Sequence, residues 1–146
     1  LLLQPKNILF KQSLYISTLA YLLSRYSQSR KTLKDLPEAQ RKVVLIASDM
    51  LENSALTSFY ASQAVRTLSP EKELALVERQ RLFADFGSAE VYVIGAGLLA
   101  DERRSQAAYR SPQTMQALAG FWREYFRRSQ AELVDFGQPA LLNPLR

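Results

Sequence analysis

Three short apolar runs, separated by stretches with helical spacing, constrain this chain more than any other feature. Val43-Val44-Leu45-Ile46-Ala47 and Val91-Tyr92-Val93-Ile94 are continuous rather than alternating, the pattern of strands buried on both faces in a parallel sheet. Leu133-Val134-Asp135-Phe136, within Ala131–Gly137, is a third and weaker run. Ser69-Pro70-Glu71 supplies an N-cap, a proline at the first helical position and an acid in the first turn. Leu74, Val77, Leu82 and Phe86 continue that helix, and Gly87 is placed to end it. Ser111-Pro112 repeats the same start ahead of the stripe Met115, Leu118, Ala119, Trp122, Tyr125 and Phe126, a regular buried helix face. Upstream, Leu19, Leu22, Leu23 and Tyr26 predict a helix from Ser13 to about Arg30, with Ser13 as N-cap, and Lys31–Pro37 reads as a loop. Leu56–Val65 suits a short helix or a strand equally.

Alternating helices and buried strands imply an α/β fold: a Rossmann-like three-layer sandwich with a mainly parallel sheet. The three strands are expected to be adjacent in chain order, with helices on both faces. A length of 146 residues reads as a single domain, 1–146. With 47% hydrophobic and 23% charged residues, the composition argues against wholesale disorder.

Composition removes whole classes of chemistry. Zero Cys excludes disulfides, thiolate catalysis and zinc-finger sites; zero His excludes the Ser-His-Asp triad, a histidine base and nearly every catalytic zinc site. No apolar run approaches the roughly 20 residues of a membrane span, and no signal-peptide pattern opens the chain, so a cytoplasmic location is the expectation. The opening Leu1-Leu2-Leu3, without an initiator Met, reads as a processed or partial chain. The net charge of +5 is uneven, with six bases against one acid in residues 1–36 and six against eight in residues 37–100. No basic run alternates with aromatics as in a single-strand binder, so nucleic acid is not the expected partner.

In open parallel sheets, ligands meet the loops that follow the carboxyl ends of the strands. The first such loop, Ser48-Asp49-Met50-Leu51-Glu52-Asn53-Ser54, is dense in hard oxygen donors of the kind Mg²⁺ takes. The alternative is an Asp that turns the chain or caps a short helix. The second, Gly95-Ala96-Gly97, lacks the third glycine of a dinucleotide fingerprint, and no Walker A pattern occurs. Beyond it lies Asp101, followed by Arg103, Arg104 and Arg110, three bases able to clamp a carboxylate or phosphate, or simply to be solvated. Gly137-Gln138 follows the third strand.

The block Lys42-Val-Val-Leu-Ile-Ala-Ser48-Asp49 resembles the fourth-strand signature of von Willebrand factor A-like domains, an apolar strand ending in Ser/Thr-Asp-Gly. The helix and strand order after it is similar to the end of that domain, and the resemblance covers roughly 13–137, only about the second half of the domain. It implies a metal-ion-dependent adhesion site in which Asp49 takes the Asp position and Ser13, more loosely, the Thr position. The family's Asp-x-Ser-x-Ser loop is absent, and Met50 stands where the family has Gly. The resemblance implies a non-enzymatic protein-binding or assembly module, bacterial in type. A protein partner or second copy would meet Ser48, Glu52, Asn53, Ser54, Asp101, Arg103, Arg104 and Arg110, with Mg²⁺ at Asp49 and Ser13.

The competing reading is a Mg²⁺-dependent phosphoryl-transfer or nucleotide-binding enzyme. It would use Asp49 and Glu52 for the metal and Arg103, Arg104 or Arg110 for phosphate. Two further expectations follow from the resemblance. The family's central strand, which borders the strand ending at Asp49, is not supplied after Ser13, so residues before Leu1 or a second chain should complete that edge. The Asp49 carboxylate should face solvent without packing, so that Asp49→Ala costs within about 0.5 kcal/mol of stability. A capping Asp would instead cost about 0.5–2 kcal/mol.

Overall fold

The computed structural model describes residues 8–12, 41–61, 64–98 and 111–137. Four strands form one parallel sheet: β1 (Ile8–Gln12), β2 (Val43–Ala47), β5 (Ala89–Ile94) and β6 (Ala131–Gly137), in the order β1-β2-β5-β6. The three apolar runs are thus adjacent and parallel as expected, giving an α/β fold. The register runs from Val43↔Glu90 to Ala47↔Ile94 between β2 and β5.

One expectation about this sheet is overturned. The border of β2 expected to be bare is occupied by β1, with Ile8 paired to Val43 and Gln12 to Ala47. The segment Ile8-Leu9-Phe10-Lys11-Gln12 has only three apolar residues before two polar ones, too short a run to stand out, so only pairing reveals it as a strand.

Each step from β2 to β5 and from β5 to β6 moves one strand in the same direction. Right-handed crossovers then place both connecting segments on one face. The two helices among the described residues, α1 (Pro70–Arg79) and α2 (Pro112–Arg128), accordingly pack on each other, and α2 packs on β6. The helix expected over Ser13–Arg30, which would supply a further layer, lies outside the described residues. Beneath the helices, Val44, Ile46, Ala89, Val91, Val93 and Leu133 are buried against Leu74, Val77, Leu118, Phe121, Trp122, Tyr125 and Phe126. The aromatic rings meet edge to face, Phe121 on Trp122 at 4.9 Å and Phe59 on Phe121 at 5.1 Å, an arrangement that adds to simple area burial.

A bulge in β6 explains its weak sequence signal. The register jumps from Val91↔Leu133 to Tyr92↔Asp135, so Val134 has no partner and is 42% exposed. The extra residue reverses the alternation, returning Phe136 to the core side after Leu133.

The helix starts agree with the sequence, but one end does not. Ser111 caps α2 by accepting from the Thr114 N–H at 3.1 Å, whereas Ser69 precedes Pro70 without a side-chain cap bond. Helix α1 stops at Arg79 rather than at Gly87. Arg81 takes a left-handed φ of 55°, the Arg81 N–H donates to Glu78 O, and the Leu82 N–H donates to Val77 O. These are the two bonds of a Schellman ending, built on Arg where Gly is usual. Val77 and Leu82 line the same cleft, which stands in for the missing glycine signal. Within the ambiguous Leu56–Val65 stretch, two short segments pair as antiparallel strands, β3 (Tyr60–Ala61) and β4 (Ala64–Val65), and the described residues before them form no helix.

Candidate functional site

The carboxyl ends of β2, β5 and β6 are tied into one surface by backbone bonds. The Ser48 N–H donates to Ile94 O at 3.0 Å, the Gly97 N–H to Asp49 O at 2.6 Å, and the Ala96 N–H to Gly137 O at 3.1 Å. Gly95 has a φ of +87°, and a Cβ there would meet Ser48 O at 3.3 Å. A side chain would therefore be strained both by conformation and by space. The Gly95-Ala96-Gly97 turn serves to hold the Ser48–Asp49 corner.

At that corner, sequence chemistry makes a local net. Ser48 Oγ accepts the Met50 N–H at 3.1 Å, and Asp49 Oδ1 accepts the Leu51 N–H at 3.1 Å. Such side-chain turns are the habit of Ser and Asp. The second carboxylate oxygen, Oδ2, accepts from the Tyr60 hydroxyl at 2.9 Å. Burial, with the Asp49 charge second, pushes the Tyr60 phenol well above its ordinary value, so it stays protonated and donates at any physiological pH. The expectation of a carboxylate facing solvent without a packing role therefore does not hold. Asp49 is half-buried and joins its own loop to β3.

Met50 is wholly buried with a φ of 60°. A left-handed conformation costs a residue with a side chain about 1–2 kcal/mol. It is held here by burial of the thioether and by the Trp122 indole N–H, which donates to Met50 O at 2.8 Å. That bond joins the strand-end corner to the centre of α2.

Beyond the corner, Asn53 pairs with Ser58 across a tight loop in which the Ser54 N–H donates to Thr57 O at 2.9 Å. The loop is held from below by an ion pair. Arg66 bonds Glu73 Oε1 at 2.7 Å and Thr57 Oγ1 at 3.2 Å, and donates through Nε to Ser58 O at 2.8 Å. Thr57 Oγ1 in turn donates to Glu73 Oε2 at 2.8 Å. Loop, α1 and α2 border an open cleft of about 240 Å³, lined at its surface by Leu56, Leu76 and Leu82, with Phe59, Phe121 and Trp122 buried beneath it.

The residues singled out from the sequence divide into three groups. Ser48 and Asp49 stand together at the strand end, and Asn53 and Ser54 lie on the loop that follows. Glu52 is only 4% exposed and lines the cleft, so it is not on the outer surface where a partner or a metal shared with Asp49 was expected. Its apolar neighbours Leu51 and Phe59 draw that stretch of chain inward. Ser13, Asp101, Arg103, Arg104 and Arg110 lie outside the described residues. Sequence reasoning missed Tyr60, Arg66 and Glu73, which are brought in by the β3–β4 hairpin and α1.

As a Mg²⁺ site, the described residues fit poorly. Among them no group of three acidic, His or Cys side chains converges, and Asp49 accepts hydrogen bonds on both oxygens. A hard cation would have to displace the Tyr60 hydroxyl and recruit further oxygen donors. Among the described residues no helix is long and apolar enough to cross a membrane. Compared with protein-family models, curated proteins and solved structures, the chain matches none.

Proposed function

We propose that this chain is a non-enzymatic protein-binding or assembly module of von Willebrand A-like type, engaging a protein partner or a second copy through the loops at the carboxyl ends of its strands. The observation that carries the proposal is the corner Ser48-Asp49-Met50. Its third residue adopts a φ of 60°, the conformation glycine permits, where the resembled family has Gly. The placement of β1 supports the same reading, because a preceding strand now borders the one that ends in Asp49. The three-layer Rossmann-like arrangement belongs to this proposal.

A photo-crosslinking amino acid placed at exposed Asn53, and separately at exposed Arg123 on α2, tests the proposal in cells. Asn53 should capture a discrete protein or a second copy, the capture should fail when Asp49→Ala is added, and Arg123 should not reproduce it. Identical patterns from the two positions would reject the carboxyl-end loops as the interface.

A further inference from the structure

The outward face of α1 carries a charge pattern that the strand-end proposal does not use. Glu71, Lys72, Ala75, Glu78 and Arg79 are all exposed, while Glu73, Leu74 and Val77 are buried. At helical pitch the five exposed positions share an arc of roughly 120° centred on Ala75. Their order is a palindrome with the sign reversed: about Ala75, Glu71 mirrors Arg79 and Lys72 mirrors Glu78.

Local chemistry does not account for this order. Within α1 none of the four charged residues has an opposite charge three or four positions away, the spacing at which side chains on one helix pair. Glu71, Lys72 and Arg79 make no side-chain hydrogen bond or ion pair among the described residues, and Glu78, its side chain 69% exposed, has only a 3.4 Å contact to Arg128. Solvation asks for charges on such a face, but not for mirror order. A second copy of the same helix does. Laid antiparallel about a two-fold axis through Ala75, two copies bring Glu71 of each opposite Arg79 of the other, and Lys72 opposite Glu78. Ala75, with only a methyl group, lets the helix axes approach closely, and the half-buried Leu76 adds apolar surface at the edge. We infer that the outer face of α1 is a self-association surface that joins two copies of this chain in an isologous antiparallel contact. Exposed ion pairs each contribute little and a helix of 10 residues is only about 15 Å long, so the dimer is weak and salt-sensitive.

Sedimentation velocity of the purified chain at low salt, with Lys72→Glu and Glu78→Lys, tests the inference. Both changes suit the helix ends, an acid in the first turn and a base in the last, so α1 itself should hold. In either variant alone, like charges meet across the axis, and association should weaken by roughly tenfold or more. An equimolar mixture of the two variants should recover wild-type association, because the two copies are then complementary. The chain has no cysteine, so Ala75→Cys supplies a geometric check. Its thiol meets its own image at the axis and should oxidise to a disulfide dimer faster than that of Asn53→Cys on the strand-end loop. If either charge variant lost its cooperative melt, this comparison of thiols would decide. A wild type that stays monomeric at low salt would overturn the inference, as would a mixture that fails to restore association. Association that survives in both single variants, or equal disulfide yields from the two positions, would overturn it in favour of another surface.

Discussion

Replacing Asp49 by Ala separates a carboxylate that builds the fold from one that only waits for a ligand. Three protein donors lose their acceptor: the Leu51 N–H, the Tyr60 hydroxyl and, at a long 3.5 Å, the Ser48 hydroxyl, whose loss adds little. The first loss resembles removal of a cap, about 0.5–2 kcal/mol. The second is a hydrogen bond to a charged group, about 1.5–3 kcal/mol when fully desolvated and about half that for a half-buried phenol. Together they amount to about 2–3 kcal/mol, or a melting temperature lower by about 5–10 °C in a chain of this size. Tyr60→Phe leaves the Leu51 bond intact and should cost only about 1 kcal/mol. The double variant should fall short of the summed losses by about 1 kcal/mol, since the shared bond can be lost only once. Urea unfolding at pH 7 of the four proteins completes the cycle. The pair also has an alkaline signature. Because the Tyr60 phenol is raised, by burial first and the Asp49 charge next, the folded chain holds its proton above the pH at which the unfolded chain releases it. Its contribution is complete below about pH 10 and declines above it, a decline that Tyr60→Phe should lessen. An Asp49→Ala protein that melts within 1 °C of wild type, as about 0.5 kcal/mol or less would imply, would refute the reasoning and restore Asp49 as a purely solvated group.

Three other outcomes are expected. Trp122→Phe removes the donor to Met50 O and opens a void beside a strained backbone, and should cost about 2–4 kcal/mol by urea unfolding. Gly95→Ala sets a Cβ 3.3 Å from Ser48 O at a φ of +87°; it should cost about 1–3 kcal/mol and shift the amide resonances of Ser48 and Asp49 in nuclear magnetic resonance spectra. Glu124, hydrogen-bonded by Arg127 and Arg128, has a carboxyl lowered to about 2, so its stabilisation is present above the unfolded value and lost as pH falls through about 4.5 to 2. Glu124→Gln should therefore cost about 0.3–1 kcal/mol at pH 7 in unfolding titrations, because the pairs are exposed, and close to nothing near pH 2.

Periodicity and turn chemistry alone were enough to define three strands, two helix starts and a parallel α/β sheet. Continuous Val and Ile runs tolerate few environments other than a doubly covered strand, and Ser-Pro pairs leave little choice about where a helix begins. Ser48 and Asp49 were legible as a corner for the same reason, since both side chains bond the backbone two residues on. What escaped was whatever depends on a partner distant in sequence. Strand β1 is a strand only because β2 lies beside it, and its Lys11 and Gln12 would read as loop in isolation. Arg81 ends α1 without glycine because Val77 and Leu82 gain burial on the same cleft. The fate of the Asp49 carboxylate turned on a phenol eleven residues away, delivered by a hairpin whose strands are too short to carry a periodic signal. Local propensity acts through the chain's own dihedrals and can be read from the sequence. Burial and hydrogen-bond satisfaction are settled only when the folded core decides which groups lose water and which neighbour replaces it.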